Sequence, residues 1–435
     1  MGQPVRGHPR TTRRRDTDDD SVCLGGAGIG GRQGEGGHAR DPMPRSRPWA
    51  GAAEPGYPAG MPDTAVPSPS LFTSPLHERH RALNAKMADF GGWEMPIEYP
   101  GPGGGVLAEH ATVRTGVGVF DVSHLGKGVV RGRRAVEYVN ACLTNDLRRL
   151  VPGQAQYTLC CDAVSGGVVD DLIAYLHGEE EVFLIPNAAN TAEVVRRLSD
   201  HAPAEVNVED LHHRLGVIAV QGPDSDDLLE AMQLPTDHEY MSFVAAQWEG
   251  RPVVVCRSGY TGERGYELLP RWEDTGDLWD ALLDAGSEWG ARPCGLGARD
   301  TLRTEMGYPL HGQDLSLEIT PVQARSTWAV GWDKPRFWGR EALLAERAAG
   351  ASRLLWGLLA QDRSIPRPHM TVTGTEGAVI GQVTSGTFSP TRKVGIGLAL
   401  LDRSVGEGDT VHLDVRGRPG VFTVMRPPFV TPSTR

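Results

Sequence analysis

Cysteine is scarce in this chain, and the six present, Cys23, Cys142, Cys160, Cys161, Cys256 and Cys294, include no C-x-x-C pair. None stands at ligand spacing from a histidine, which argues against a zinc or disulfide framework and fits a reducing compartment. Long apolar runs are missing too. No eighteen-residue stretch is apolar enough to span a bilayer, and the N-terminus lacks the apolar core of a secretory signal. Positive charge is in deficit: a net charge of -11 argues against a general nucleic-acid partner and leaves a small-molecule site open.

What the chain has is length, since 435 residues can build two or three cores. Residues 1–70 are not expected to belong to any of them. Rich in Gly, Pro, Arg and Asp, as in R-R-R-D-T-D-D-D and L-G-G-A-G-I-G-G, they lack helical or strand periodicity and read as a disordered extension. The acidic run after Asp16 argues against mitochondrial targeting and so for a bacterial-type, cytoplasmic protein. Met61, just ahead of the first ordered segment, is an alternative translational start.

From Leu71 the spacing predicts a short helix over His77 to Met87, then F-G-G-W-E-M-P-I-E-Y-P as a loop, then a helix over Val106 to Arg114. A repeat follows. K-G-V-V-R-G-R-R-A-V-E-Y-V-N-A-C from Lys127 and G-V-I-A-V-Q-G-P-D-S-D-D-L-L-E-A-M from Gly216 each read as strand, glycine turn and helix. Each copy continues into a hairpin and another helix. In the first, Val168 to Leu176 and Val182 to Pro186 precede a helix capped by Asn190 or Thr191; in the second, P-V-V-V-C-R and Y-E-L-L-P precede D-L-W-D-A-L-L-D-A. Residues 346–435 change to short β runs separated by glycine. The expected fold is α+β, with two pseudo-repeated α+β units over residues 71–345, a site where they meet, and a C-terminal antiparallel β-barrel or sandwich.

Three features of the middle region could converge on such a site. The first is S-G-G-V-V-D-D-L-I-A-Y, Ser165 to Tyr175. Strand side chains alternate, so Asp170 shares a face with Val168, Leu172, Ala174 and Leu176, and Asp171 with Val169, Ile173 and Tyr175. Asp170 is the stronger candidate, because an unpaired carboxylate among apolar neighbours is costly unless something binds it or its pKa rises. A strand-entry turn with both acids solvated is the plain alternative, and this stretch alone leaves both open. The second feature is G-Y-T-G-E-R-G-Y-E, Gly259 to Glu267, either a long hairpin loop or a glycine-rich edge that admits a flat ligand; Glu267 lies inside the apolar strand Tyr266 to Leu269. The third is G-L-G-A-R-D-T-L-R, which puts Arg299 and Arg303 on one helix face, with a surface pair between Asp300 and Arg303 as the plain alternative. The histidines are scattered without ligand spacing, and no metal site is expected.

With F-G-G-W-E-M-P, T-V-R-T-G-V-G-V-F-D-V-S-H and T-S-G-T-F-S-P-T, these motifs resemble, in order from Thr73 to Val430, the aminomethyltransferases of the glycine cleavage system, the T-protein family. The resemblance implies a three-domain arrangement around a tetrahydrofolate site. It also implies transfer of a methylene unit from the aminomethylated lipoyl arm of H-protein to tetrahydrofolate, with ammonia released and no metal needed. Carried over by motif, Asp170 is the catalytic acid, and Glu267, Tyr260, Arg299 and Asn187 contact the folate. The chemistry agrees: a pterin edge offers two parallel donors that one carboxylate can accept, and its carbonyl suits an arginine. Two departures are Leu125, where the family more often has methionine, and Pro186, just before Asn187. Lys334, Arg336 and Arg340 are expected to form a basic docking patch for H-protein. Two other functions share the fold: a folate-dependent demethylase of a methylated amine or sulfonium compound, and a folate-binding iron-sulfur maintenance protein. The second has a K-G-C motif that this chain lacks.

Overall fold

The structure, a computed structural model, describes residues 70–434 apart from Pro102 and Arg416, so the readings of the extension and of Met61 lie outside the described residues. The repeat seen in the sequence becomes two sheets with one strand order. In the first, Ala155–Cys161, Val168–Gly178, Glu181–Ile185, Gly128–Arg131 and Asn207–Asp210 lie side by side. In the second the order is Phe243–Trp248, Arg251–Cys256, Gly265–Pro270, Ile218–Gln221 and Gly118–Asp121, with Arg292–Cys294 added at the edge. The repeat extends to packing detail. A Cβ added to Gly126 would meet Thr191 Oγ1 at 2.0 Å, and one added to the equivalent Gly216 would meet Thr275 Oγ1 at 2.2 Å. Each glycine therefore lets a sheet press against the first turn of its helix, Thr191–Asp200 or Thr275–Ala285.

The fifth strands are exchanged between the copies, which sequence periodicity does not reveal. Gly118–Asp121 precedes the first copy in the chain yet pairs antiparallel with Ile218–Gln221 of the second. Asn207–Asp210 precedes the second copy yet pairs antiparallel with Gly128–Arg131 of the first. Separating the copies would leave each sheet with an open edge. A shared core containing Phe120, Val129, Tyr175, Phe183, Val217, Leu269 and Leu302 draws on both sheets and on the helix Leu296–Met306.

Two local expectations are corrected. The first helix ends at Ala82, and Lys86–Phe90 is a strand; Asn84, with φ 55°, turns the chain between them. The segment read as an aromatic loop is the strand Trp93–Glu98, paired with Lys86–Phe90. Gly91 and Gly92, at φ 61° and 87°, supply the two left-handed residues of the hairpin turn between them.

The C-terminal choice between barrel and sandwich resolves as a closed six-stranded barrel, in the order Arg353–Ala360, Val394–Asp402, Val379–Ser389, Thr371–Thr373, Thr410–Val415 and Arg418–Met425. Helix Leu296–Met306 joins it to the rest. Arg303 does pair with Asp300, whose side chain is 48 % exposed, but Arg303 itself is 1 % exposed and also donates to Asp314 and to Ser385 Oγ at 2.8 Å each, so the plain alternative of a surface pair gives way to a buried arginine that clamps the helix. Glu305, fully buried, accepts from Arg114 Nη2 at 2.6 Å, Ser389 Oγ at 2.5 Å and Thr391 Oγ1 at 3.1 Å, with the His110 ring 2.9 Å away. These bonds fix the helix that carries Arg299. Among the described residues all cysteines are free, and no helix is long and apolar enough to cross a membrane.

Candidate functional site

A cavity of ≈ 200 Å³ lies where the two copies meet the segment 308–328. Leu125, Ile173 and Ile185 form its apolar floor, and Tyr157, Tyr240, Tyr260, Tyr308 and Trp328 its aromatic walls. Asp171, Asn187, Glu267 and Arg299 supply the polar groups. Four of the five residues named from sequence converge here; the fifth, Asp170, does not reach the wall.

The alternation on strand Val168–Gly178 holds from Asp170 onward, while an irregularity opposite Cys160 and Cys161 breaks it before that and puts Val169, not Val168, in the core of Leu172, Ala174 and Leu176. The face carrying Asp170 is the core face. Leu172, Ala174 and Leu176 are buried there with Val139 and Cys142 of helix Ala135–Cys142 and with Val194 and Leu198 of helix Thr191–Asp200. Asp170, 0 % exposed among them, is satisfied by amides: the Asn187 backbone N–H at 3.0 Å, Asn187 Nδ2 at 3.0 Å and Asn190 Nδ2 at 2.7 Å. Asp171 looks the other way, onto the cavity. Its Oδ2 accepts from the Tyr157 hydroxyl at 3.1 Å and its Oδ1 from Asn187 Nδ2 at 3.0 Å, so one amide braces both carboxylates. Burial pushes both pKa values up, and for Asp170 the neighbouring Asp171 charge adds to it.

Asn190, read as a helix cap, makes no capping bond. Its amide is diverted to Asp170 and to His311 Nδ1 at 2.9 Å, while His311 Nε2 lies 3.1 Å from the Val168 carbonyl. A carbonyl can only accept, so Nε2 carries the proton and Nδ1 accepts from Asn190. The bracing chain runs His311, Asn190, Asp170, Asn187, Asp171.

Glu267 sits on strand Gly265–Pro270, opposite Cys256 and Ala219. Its Oε2 accepts from Ser258 Oγ at 2.5 Å, and its Oε1 has no hydrogen-bond partner among the described residues. Burial raises its pKa against the pull of Ser258 and Arg299. Arg299 is the converse case, a guanidinium whose pKa burial lowers. It stacks over the Tyr260 ring at 4.4 Å and makes no side-chain hydrogen bond or ion pair to the described residues. Tyr260 is itself pinned, its hydroxyl donating to the Pro309 carbonyl and its ring stacking on Tyr308 at 5.6 Å. Tyr157 stacks on Trp328, which is 66 % exposed at the mouth. The cavity thus offers one free carboxylate oxygen, one free guanidinium and flat aromatic surfaces, a set suited to a planar ligand with donors on one edge and a carbonyl beside them.

Ser258, Tyr157, Tyr308 and Trp328 escaped the sequence reading. Ser258 directly precedes G-Y-T-G, so its signal was one residue away; the three aromatics carry no motif and are brought in by the fold alone. No group of His, Cys, Asp and Glu that could hold a metal ion occurs among the described residues. The docking expectation for Lys334 is corrected: 1 % exposed, its Nζ donates to the carbonyls of Leu143, Thr144 and Asn145 at 2.6, 3.3 and 2.8 Å. Arg340 donates back to the Lys334 carbonyl and pairs with Glu341, which leaves Arg336 as the exposed member of the three with no side-chain hydrogen bond or ion pair to the described residues.

Residues 76–334 match the GCVT N-terminal domain family, and residues 353–431 the glycine cleavage T-protein C-terminal barrel domain. The chain is 72 % identical over 364 residues to the aminomethyltransferase of Frankia alni, a match covering 84 % of this chain and 99 % of the relative. To that of Mycobacterium tuberculosis (strain H37Rv) it is 56 % identical over 370 residues, with the same coverage of each. The crystal structure of glycine cleavage system aminomethyltransferase T from Bartonella henselae superposes with a TM-score of 0.79 at 34 % identity, covering 84 % of this chain and 99 % of that one.

Proposed function

Because the chain belongs to the glycine cleavage T-protein family, we propose that the cavity bearing Asp171, Glu267 and Arg299 is where it transfers a methylene unit from the aminomethylated lipoyl arm of H-protein to tetrahydrofolate. The chain is an aminomethyltransferase. In the transfer the carbon breaks its bonds to the ammonia nitrogen and to the lipoyl sulfur, and gains two bonds to folate nitrogens. Ammonia and the reduced lipoyl group leave, and the carbon keeps its oxidation level, so tetrahydrofolate supplies all the group-carrying chemistry.

The observation that carries the site reading is the pairing of unpartnered Glu267 Oε1 with an unpartnered Arg299 inside an aromatic cavity. Glu267 accepts from the donor edge of the pterin through its free Oε1, Arg299 donates to the ring carbonyl, and Tyr260 holds Arg299 in register. Asp171 then faces the reacting nitrogens. Its charge stabilises the positive charge that develops on the transferred carbon as ammonia departs, and it can take the proton of the attacking amine. Asp170, the acid favoured on sequence grounds, acts from behind: through Asn187 it fixes the Asp171 carboxylate, and with Asn190 it ties that group to His311. Asn187 spends its amide N–H groups on the carboxylates, which makes it chiefly a positioning residue with only Oδ1 left for a ligand. H-protein is the donor partner, and the bacterial relatives favour a cytoplasmic setting.

The test is a coupled assay with aminomethylated H-protein and tetrahydrofolate that follows ammonia and methylenetetrahydrofolate together. Equal yields of both, dependent on each substrate, are expected. Turnover of a methylated amine or sulfonium compound with no response to H-protein would overturn the assignment in favour of a demethylase.

A further inference from the structure

A buried cation close to the site takes no part in the chemistry derived above. Lys127 is 0 % exposed and makes no ion pair among the described residues. Its Nζ donates instead to the carbonyls of Ser123 and Leu125, at 2.8 Å each. A charge held out of water without a counter-ion is costly, and here it is turned wholly onto one backbone turn, 122–126. Leu125 N closes that turn on the Val122 carbonyl at 3.0 Å. The His124 carbonyl lies 2.9 Å from His212 Nε2, which must be the donor because a carbonyl only accepts. Three successive carbonyls are thus all held by side chains.

The turn lies where the exchanged strands cross. Gly118–Asp121 runs into it, and the strand that leaves it pairs with Asn207–Asp210, Gly128 standing opposite Asp210. Asp121, Asp210 and the rings of His124 and His212 are the charged and titratable groups that face Lys127. Burial lowers the Lys127 pKa to about 7 against the pull of Asp121 and Asp210. Against burial, the His80 hydrogen bond holds Asp121 at about 2, while burial takes His124 and His212 to about 3 and about 4. Those three keep one charge state through the neutral range, and Lys127 changes its own there.

The turn meets the site twice. Leu125 lies on the cavity floor, and Gly126 N donates at 2.8 Å to the carbonyl of Pro186, one residue before the Asn187 whose amide braces Asp170 and Asp171. The contact is tight, since a Cβ on Gly126 would come within 2.7 Å of Pro186 Cγ. We propose that Lys127 is a positioning residue for the transfer, its ammonium setting the turn that gives Leu125 to the folate cavity and seats Asn187 behind Asp171. It rests on the reading of that cavity as the folate site. The ammonium holds both carbonyls by charge-assisted bonds, and the neutral amine holds them more weakly. Proton and folate therefore favour the same arrangement of the turn, and each strengthens the binding of the other. Through Lys127, folate affinity falls as pH rises past about 7. Glu267 acts in the opposite sense, because its raised pKa makes the ionised, accepting form more abundant as pH rises.

The test is calorimetry with tetrahydrofolate, together with single-turnover transfer, on the full chain carrying Lys127→Gln or Lys127→Met. Glutamine keeps two neutral donors for the two carbonyls and cannot titrate, whereas methionine keeps the length and has no donor. Each variant's dissociation constant is divided by that of the wild type at the same pH, which cancels the titration of Glu267. For Lys127→Gln the ratio is expected to be about tenfold near about pH 6 and to approach one near about pH 9. For Lys127→Met it should stay above about threefold throughout, with the transfer step slowed roughly 10–100-fold as Asn187 shifts behind Asp171. Melting curves at each pH establish that folded molecules are compared. A ratio for Lys127→Gln that is flat with pH, or a Lys127→Met protein that melts lower yet binds and transfers like the wild type, would overturn the proposal and leave the folate site standing. No binding of tetrahydrofolate by the wild type would overturn both readings.

Discussion

Replacing Glu267 by glutamine removes one charge and changes little else, which makes it the sharpest probe of ligand recognition. In the wild type, Ser258 Oγ occupies Oε2 at 2.5 Å, and Oε1, without a hydrogen-bond partner among the described residues, is the oxygen proposed to meet the ligand. In Glu267→Gln the amide oxygen keeps Ser258, and the amide N–H₂ is turned toward a ligand edge that itself presents donors. The charge-assisted bond is lost and a donor faces a donor, a cost of about 1.5–3 kcal/mol. At about 1.4 kcal/mol per tenfold, the dissociation constant for tetrahydrofolate should rise roughly tenfold to 150-fold, read by calorimetry. The fold should not suffer. Burial raises the Glu267 pKa, so its ionised form penalises the folded state at neutral pH, and the neutral amide relieves that penalty. The melting temperature of the ligand-free variant is therefore expected to equal or exceed that of the wild type. An unchanged dissociation constant would show that Glu267 does not read the ligand, and a fall in melting temperature would refute the burial argument.

Three further outcomes follow from buried charges elsewhere. For Glu305 burial acts upward, but hydrogen bonds from His110, Ser389 and Arg114 outweigh it and hold the pKa at about 2, and for Asp121 those from His80 and Ser123 do the same. Both lie below the ordinary 4.5 and 3.8, so the stability they contribute, about 2–3 kcal/mol each, is complete above those values and is lost as pH falls toward 2, which acid-melting curves should show. Glu305→Gln should cost about 3–5 kcal/mol by chemical denaturation, because it leaves Arg114 partly unpaired and loosens the helix that carries Arg299. Lys334→Met should cost about 2–4 kcal/mol by exposing three buried carbonyls, with no change in the Michaelis constant for H-protein per folded molecule; a rise in that constant would return Lys334 to the docking surface.

Much of the architecture was legible because it rests on local pattern. The two copies announced themselves through strand, glycine and helix at Lys127 and Gly216, and the barrel through short β runs between glycines. What local pattern could not carry was partnership. The exchange of Gly118–Asp121 and Asn207–Asp210 is a long-range pairing with no signal in either segment. The G-G of F-G-G-W was read as a loop because its aromatic and proline content masked a hairpin. In the site, alternation correctly separated Asp170 from Asp171, but the preference for Asp170, drawn from its apolar neighbours, falls on a carboxylate that faces the core. The apolar neighbours of Asp170 mark the core, and two asparagine side chains, one of them read as a helix cap, supply the partners it needed. Lys334 was taken for a surface charge because nothing in its neighbourhood reveals three converging carbonyls.

The central claim is that Asp171 meets the reacting carbon and Asp170 only positions it. Single-turnover transfer from aminomethylated H-protein, at saturating tetrahydrofolate and with its dissociation constant measured in parallel, tests this in Asp171→Asn and Asp170→Asn. Asp171→Asn is expected to slow the chemical step by roughly 10²–10⁴ with folate affinity changed less than about tenfold, since the missing charge acts on a cation present only in the transition state. Asp170→Asn should lose less, because Asn187 and Asn190 can still place Asp171. The opposite order, with Asp170→Asn abolishing transfer and Asp171→Asn retaining it within about tenfold, would contradict the account.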